Sequence, residues 1–413
     1  MNKKTILTYF INRYNYILMQ NSFRWYGPND PVSLSDIRQT NAEYIVTSLH
    51  QIPYGEKWKK DEVKKRINFI NKYNSSNNIN LKWNVVESIP VHNNIKLRNH
   101  NYKKLISNYK DTIANIAKNN IRTICYNFMP IVDWTRTQLD FKLPTEGLAL
   151  RFNYLQVIIF ERFVLQLRDL EKRYSSREIK NAEILYKKMK PRDLNNMKFS
   201  IMGGLPASET KYSIREFKKM LEAYKNVKNI DLKENLRDFI REIIPIAEEN
   251  GVKMAIHPDD PPIPLFGVPR IVSTLKDYKY ILNSYDSESN GMTFCAGSLA
   301  SNINNNVYKI FNKFKNKINF IHLRNVKVEK DKKSFYESNH LNGDVDFVKL
   351  IKMIVKEEKR RSAFKKIDIP MRPDHGHCLL DDQNKNTFNP GYTAIGRLMG
   401  LSELRGIIKA VQN

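Results

Sequence analysis

The feature that most constrains this chain is a rhythm. Short apolar runs recur along it, several of them followed by a longer amphipathic segment. Eight such runs stand out: FRWYG (23–27), EYIVTSLH (43–50), LKWNVVES (81–88), IRTICYNF (121–128), VKMAIHP (252–258), GMTFCAG (291–297), INFIHLRN (318–325) and IDIPMRPDH (367–375). Each has the length and the branched or aromatic content of a strand. Segments 58–73, 102–118, 275–285 and 346–361 place apolar residues at helical spacing. Eight strands separated by helices predict an α/β fold closed as a parallel (β/α)8 TIM barrel rather than an open sheet.

One long interruption follows the fourth run, at about 135–230. Within it LRFNYLQVIIFERFVLQLRDLEKRY (150–174) has the apolar spacing of a long amphipathic helix, and a charged segment and GGLPASETKYS (203–213) follow. A helical insertion there would cap the barrel mouth or build a subunit contact. Residues 1–22 read as an N-terminal extension, helical or disordered. Their lysines and apolar residues imitate a signal peptide, but Asn12, Arg13 and Asn15 break the apolar part and no small-residue cleavage site follows. Residues 23–413 are therefore expected to form one catalytic domain.

No apolar run reaches the roughly 18 residues a spanning helix needs, so no membrane partner is expected. The three cysteines, Cys125, Cys295 and Cys378, are few, odd in number and far apart, which argues against a disulfide framework and for the cytoplasm. The net charge of +26 would draw anions. Yet the lysines are spread over the whole chain, mostly opposite apolar residues, as on solvated helix faces. A compositional drift toward lysine accounts for that, and no nucleic-acid partner is expected.

In a parallel barrel, catalytic groups come from the carboxyl ends of several strands. His257 ends the fifth run, Cys295 lies near the end of the sixth, the seventh carries His322, and the eighth ends in Asp374 and His375. Singly, each has a dull explanation: a strand cap, a small core thiol, a hydrogen-bonded core imidazole, a polar turn. Together they fall on four consecutive strand ends, and His50 and Glu87 face the same mouth from the second and third. His257, Cys295, His322 and Asp374 make a donor set for one divalent ion; the softer donors suit Zn(II) or Fe(II), and the carboxylate also tolerates Mn(II). His375, adjacent to Asp374, must point elsewhere if Asp374 is a ligand, which frees it for proton transfer. The Pro-Gly turn of NPGYTAIGR (389–397) would present Tyr392 as a second proton donor. His377 completes an apparent His-x-His pair in MRPDHGH, but it is left out of the set.

These residues lie in segments that resemble the mannonate dehydratase family. The likeness runs from RWYGPNDPVSL (24–34) to the C-terminus. It is carried by ESIPVH (87–92), CYNFMPIVDWTRT (125–137), AIHPDDPP (255–262), GVPRIVST (267–274), HLNGDVD (340–346), RPDHGH (372–377) and NPGYTAIGR. The resemblance implies a barrel related to the xylose isomerases. It also implies one Mn(II) or Fe(II) ion, with Zn(II) or Co(II) next, and no organic cofactor. The implied reaction is dehydration of D-mannonate to 2-keto-3-deoxy-D-gluconate in glucuronate catabolism. The family's metal ligands fall on His257, Cys295, His322 and Asp374, and its acid–base pair on His375 and Tyr392, with their two roles left open. Arg136, Arg324 and Arg372 are candidates to clamp the sugar-acid carboxylate, and Asn127 and Trp134 to line the mouth. A homo-oligomer, a dimer first, is the expected assembly. A sugar isomerase on the same fold would want a more carboxylate-rich, two-metal site. A barrel endonuclease would want a basic mouth, and a silent sugar-acid binder would not need the acid–base pair.

Overall fold

All eight apolar runs contribute a strand, and the eight close into one parallel barrel. The computed structural model describes residues 19–203, 212–364 and 368–412. Most of the extension expected over 1–22, and most of segment 203–213, lie outside those residues. The first strand, β1, spans Gln20–Arg24 and so begins inside the stretch assigned to the extension. The barrel continues through β2 (Tyr44–Thr47), β3 (Lys82–Glu87) and β4 (Thr123–Tyr126). Two further strands, β5 (Gln138–Lys142) and β6 (Leu148–Phe152), belong to the insertion. The barrel resumes with β7 (Lys253–Ile256), β8 (Asn290–Cys295) and β9 (Ile318–His322), passes the short strands β10 (Val326–Val328) and β11 (Phe335–Glu337), and ends with β12 (Pro370–Arg372). Closure is made by β1 against β12, parallel, with Gln20 opposite Pro370 and Asn21 opposite Met371.

Burial on both faces explains why these strands read as nearly continuous apolar runs rather than as alternations; β8, for example, is buried at every residue. Val46, Val85, Cys125, Ala255 and Phe320, one from each of five barrel strands, form a separate buried cluster that fills the lumen. Outside, the helices Lys60–Asn77, Tyr102–Ala117, Leu275–Leu282 and Phe347–Ala363 occupy the segments that the apolar spacing predicts. Among the described residues no helix is long and apolar enough to cross a membrane.

The insertion departs from the expected long helix. Residues 148–152 are a strand, followed by the short helix Tyr154–Ile159, a wider π turn over Phe160–Val164 and a single 3-10 turn at Leu170–Lys172. The reason is a distant partner: Phe152 pairs with Phe335 and Arg151 with Tyr336, so β6 joins the antiparallel sheet β10-β11-β6-β5. Local periodicity carries no sign of a partner so far along the chain. The insertion is therefore a hairpin plus helices, not a purely helical cap.

The opposite end of the barrel carries a testable electrostatic feature. Glu358, on Phe347–Ala363, accepts a hydrogen bond from the Ile369 amide just before β12, at 3.0 Å. Burial, with Asp368 nearby, pushes its carboxyl up to about 8. A folded value above the unfolded one of about 4.3 means that folding takes up a proton. The associated stability is complete below about pH 4.3 and is lost as pH rises through about 8. Glu358→Gln removes this dependence. At pH 8.5 it should melt several degrees above the parent, a gain on the order of a few kcal/mol, and the gain should vanish near pH 4.5 in thermal melts.

Candidate active site

Three of the four predicted metal donors stand at, or one residue beyond, the ends of their strands. His322 closes β9, Cys295 closes β8, and His257 follows β7 directly. Adjacent strand registry sets Cys295 opposite His322 and His322 opposite Arg372. Ligand atoms of His257, Cys295 and His322 all lie within 4.8 Å of one another, and all three residues are buried. Asp374 joins them from the loop after β12, its Oδ2 3.7 Å from Cys295 Sγ and 3.8 Å from His322 Nδ1.

A hydrogen bond behind His257 and a carboxylate behind His322 decide which nitrogens face inward. His257 Nδ1 stands 2.6 Å from the Pro258 carbonyl, which can only accept, so Nδ1 carries the proton and Nε2 keeps its lone pair. His322 Nε2 stands 3.4 Å from Glu87 Oε1, which leaves its Nδ1 facing the cluster. The two inward nitrogens are 3.2 Å apart. Two buried imidazole lone pairs, a thiol and a carboxylate oxygen converging on one point are a donor set that a divalent cation satisfies. Burial lowers the His257 pKa, which keeps that ring in the neutral form that binds metal.

The surrounding charges hold the carboxylates ionised. Burial alone would raise Asp374, but Arg372, His375, His322 and Arg324 outweigh it and keep it well below the usual range. Glu87 is likewise held low, against burial, by Arg372, His322 and Arg24. Arg372 donates to both Glu87 oxygens, at 2.9 and 2.8 Å, and to Asp374 Oδ1 at 2.6 Å.

Asp374 sits in the left-handed region at φ +68°, a conformation that aspartate tolerates better than most residues. Gly376 follows where no side chain fits, since a Cβ there would lie 2.4 Å from the Arg397 amide nitrogen. The two neighbours diverge accordingly: Asp374 turns to the metal donors, while His375 turns to Tyr392, with Nε2 to the phenol oxygen 3.0 Å. Trp134 stands edge-on to His375 at 5.9 Å. Arg24, Glu87, Ser88, Asn127, Asp133, Trp134, His257, Asp260, Arg324, Arg372, Asp374, His375 and Tyr392 line one cleft at the strand ends.

A model of the D-mannonate dehydratase (UxuA) family matches residues 19–413. The chain belongs to the D-mannonate dehydratase family. It is 43% identical over 390 residues to a mannonate dehydratase of Marinomonas sp. (strain MWYL1), covering 94% of this chain and 98% of that one. Against the mannonate dehydratase of Saccharophagus degradans it is 42% identical over 396 residues, covering 95% and 98%. The crystal structure of mannonate dehydratase from Streptococcus suis serotype 2 superposes with a TM-score of 0.73 at 33% identity, covering 95% and 93%. The chain is thus an enzyme of the mannonate dehydratase family on a TIM barrel.

Three residues expected at the mouth have their side chains engaged by neighbouring groups. Arg136 does not face the cleft. Its fully buried side chain is committed to Asp260, at 2.8 Å, and to Glu337, at 2.8 Å, so it builds the wall. Glu87 lines the cleft, and its carboxylate is shared by Arg372 and Arg24 and stands 3.4 Å from His322 Nε2. His50 packs on Tyr26, with ring centroids 5.4 Å apart, behind Tyr392; burial, Arg24 and Arg66 push its imidazole down to about 3. Asn127, Trp134, Arg324 and Arg372 do line the cleft. Arg24, Asp133, Asp260 and Glu337 were missed. Arg24, Asp133 and Asp260 lie within RWYGPNDPVSL, CYNFMPIVDWTRT and AIHPDDPP, so their motifs could have pointed to them, whereas nothing local marks Glu337.

Proposed function

We propose that this site removes water from D-mannonate to give 2-keto-3-deoxy-D-gluconate, using one Mn(II) or Fe(II) ion, in cytoplasmic glucuronate catabolism. The observation that carries the reading is the family match over residues 19–413. His257, Cys295, His322 and Asp374 would hold the ion, which supplies a positive charge against which negative charge on the sugar acid can develop.

The chain's own groups do the rest. The bond from C2 to hydrogen breaks, the C3 hydroxyl leaves as water, and the resulting enol rearranges to the keto acid. His375, whose Nε2 faces Tyr392 in the cleft, takes the C2 proton. Burial pushes Tyr392 up to about 12 against the pull of Arg372, so its phenol is protonated at neutral pH and gives a proton to the departing hydroxide. The 3.0 Å contact between the two then lets the proton return from His375 to Tyr392 and resets the pair. Arg24, which lines the cleft and forms an ion pair to Glu87 at 3.2 Å, is less committed than Arg324 or Arg372. We assign it the substrate carboxylate.

The test is to incubate purified, reduced, Mn(II)-loaded protein with D-mannonate and identify the product by NMR. The expected product is 2-keto-3-deoxy-D-gluconate. A folded, metal-loaded protein that leaves D-mannonate unchanged sinks the reading.

A further inference from the structure

We propose that Glu337 is a positioning residue for the reaction: its carboxylate fixes the orientation and tautomer of His375, and the sheet built with the insertion holds it there. The inference rests on the proposed function for its chemistry, but its geometry stands alone.

Both Glu337 oxygens lie 2.7 Å from His375 Nδ1. Burial opposes ionisation of this carboxyl, but His375, Arg324 and Arg136 outweigh it and hold it below its usual value. An ionised carboxylate can only accept, so His375 Nδ1 donates to it; in the neutral ring that acts as base, Nε2, 3.0 Å from the Tyr392 phenol oxygen, is then the nitrogen that carries the lone pair. Without the carboxylate, the ring is free to flip or to exchange tautomers. A base whose proton sits on the wrong nitrogen cannot accept another there.

Glu337 is fixed from three directions. Arg136 donates to its Oε1 at 2.8 Å. His377 Nε2 lies 2.8 Å from its backbone carbonyl, which can only accept, so His377 donates there. The two histidines of MRPDHGH therefore grip one residue, His375 by its carboxylate and His377 by its main chain. The third hold is the sheet. Glu337 ends β11, which pairs with β6 of the insertion, and Phe335 stacks on Phe152 with centroids 5.5 Å apart. β6 in turn bridges Leu148 to Cys378, directly after His377. The insertion thus braces the strand that carries Glu337 to the chemistry.

The test combines kinetics with a readout that needs no turnover. Glu337→Gln in the Mn(II)-loaded enzyme should lower kcat by about 10²- to 10³-fold, while KM stays within about threefold and bound metal is unchanged. Glu337→Asp keeps the charge that Arg136 and Arg324 face but shortens the reach, and it should recover part of that loss. Ring ¹⁵N shifts of histidine-labelled, Zn(II)-loaded wild type, with His375 assigned by its absence in His375→Asn, should show a protonated Nδ1 and an unprotonated Nε2. The opposite tautomer in wild type overturns the proposal whether or not any variant folds. So does a Glu337→Gln enzyme with wild-type kcat. A wild type that does not dehydrate D-mannonate would refute the proposed function and leave the ring tautomer as the test of Glu337.

Discussion

Cys295→Ser will empty the metal site. The mutant should bind Mn(II) at least about 10²-fold more weakly than the parent and lose turnover in proportion, beyond the roughly 10- to 100-fold that losing a supporting partner costs. A serine hydroxyl stays protonated at neutral pH and is a poor, hard donor, whereas a thiolate is a strong one. Cys295 ends β8 opposite His322, and its Sγ lies 3.7 Å from Asp374 Oδ2, within the donor set. Cys125 fills the lumen and Cys378 bridges to Leu148, so Cys378→Ser should keep its metal. Metal content after dialysis, measured beside the rate, checks this. A Cys295→Ser protein that retains stoichiometric Mn(II) would show that the thiol is not a ligand.

Tyr392→Phe should separate chemistry from metal binding. The phenol oxygen meets His375 Nε2 and not the metal donors, so the variant should hold its ion and melt close to the parent. Its kcat should fall by about 10²- to 10⁴-fold, the range expected when a general acid is lost. Loss of metal together with rate would place Tyr392 in the metal site and refute its role as proton donor.

Much of this was legible before folding because barrel geometry turns distant positions into neighbours. His257, Cys295, His322 and Asp374 are far apart in the chain, but each stands at or just beyond the end of a strand that its apolar run already marked. Their proximity then follows from strand order alone. What stayed hidden depended on contacts with no local signature. Residues 148–152 look helical until β11 supplies a partner, and Glu337 becomes visible only once that pairing exists. The arginines show the same limit from another side. A guanidinium near the mouth looks like a substrate clamp, but Arg136 is consumed by Asp260 and Glu337, and Arg372 by Glu87 and Asp374. Sequence gives the charge of such a group but not the carboxylates that occupy it.

In the proposed reaction, one divalent ion held by the four strand-end donors is required for turnover. The most direct test of that requirement is a titration of chelator-treated, reduced protein with Mn(II), following keto-acid formation from D-mannonate. Negligible turnover is expected without added metal, with a rise that saturates at one ion per chain. Full turnover by the metal-free protein, or saturation only at two ions per chain, would contradict it.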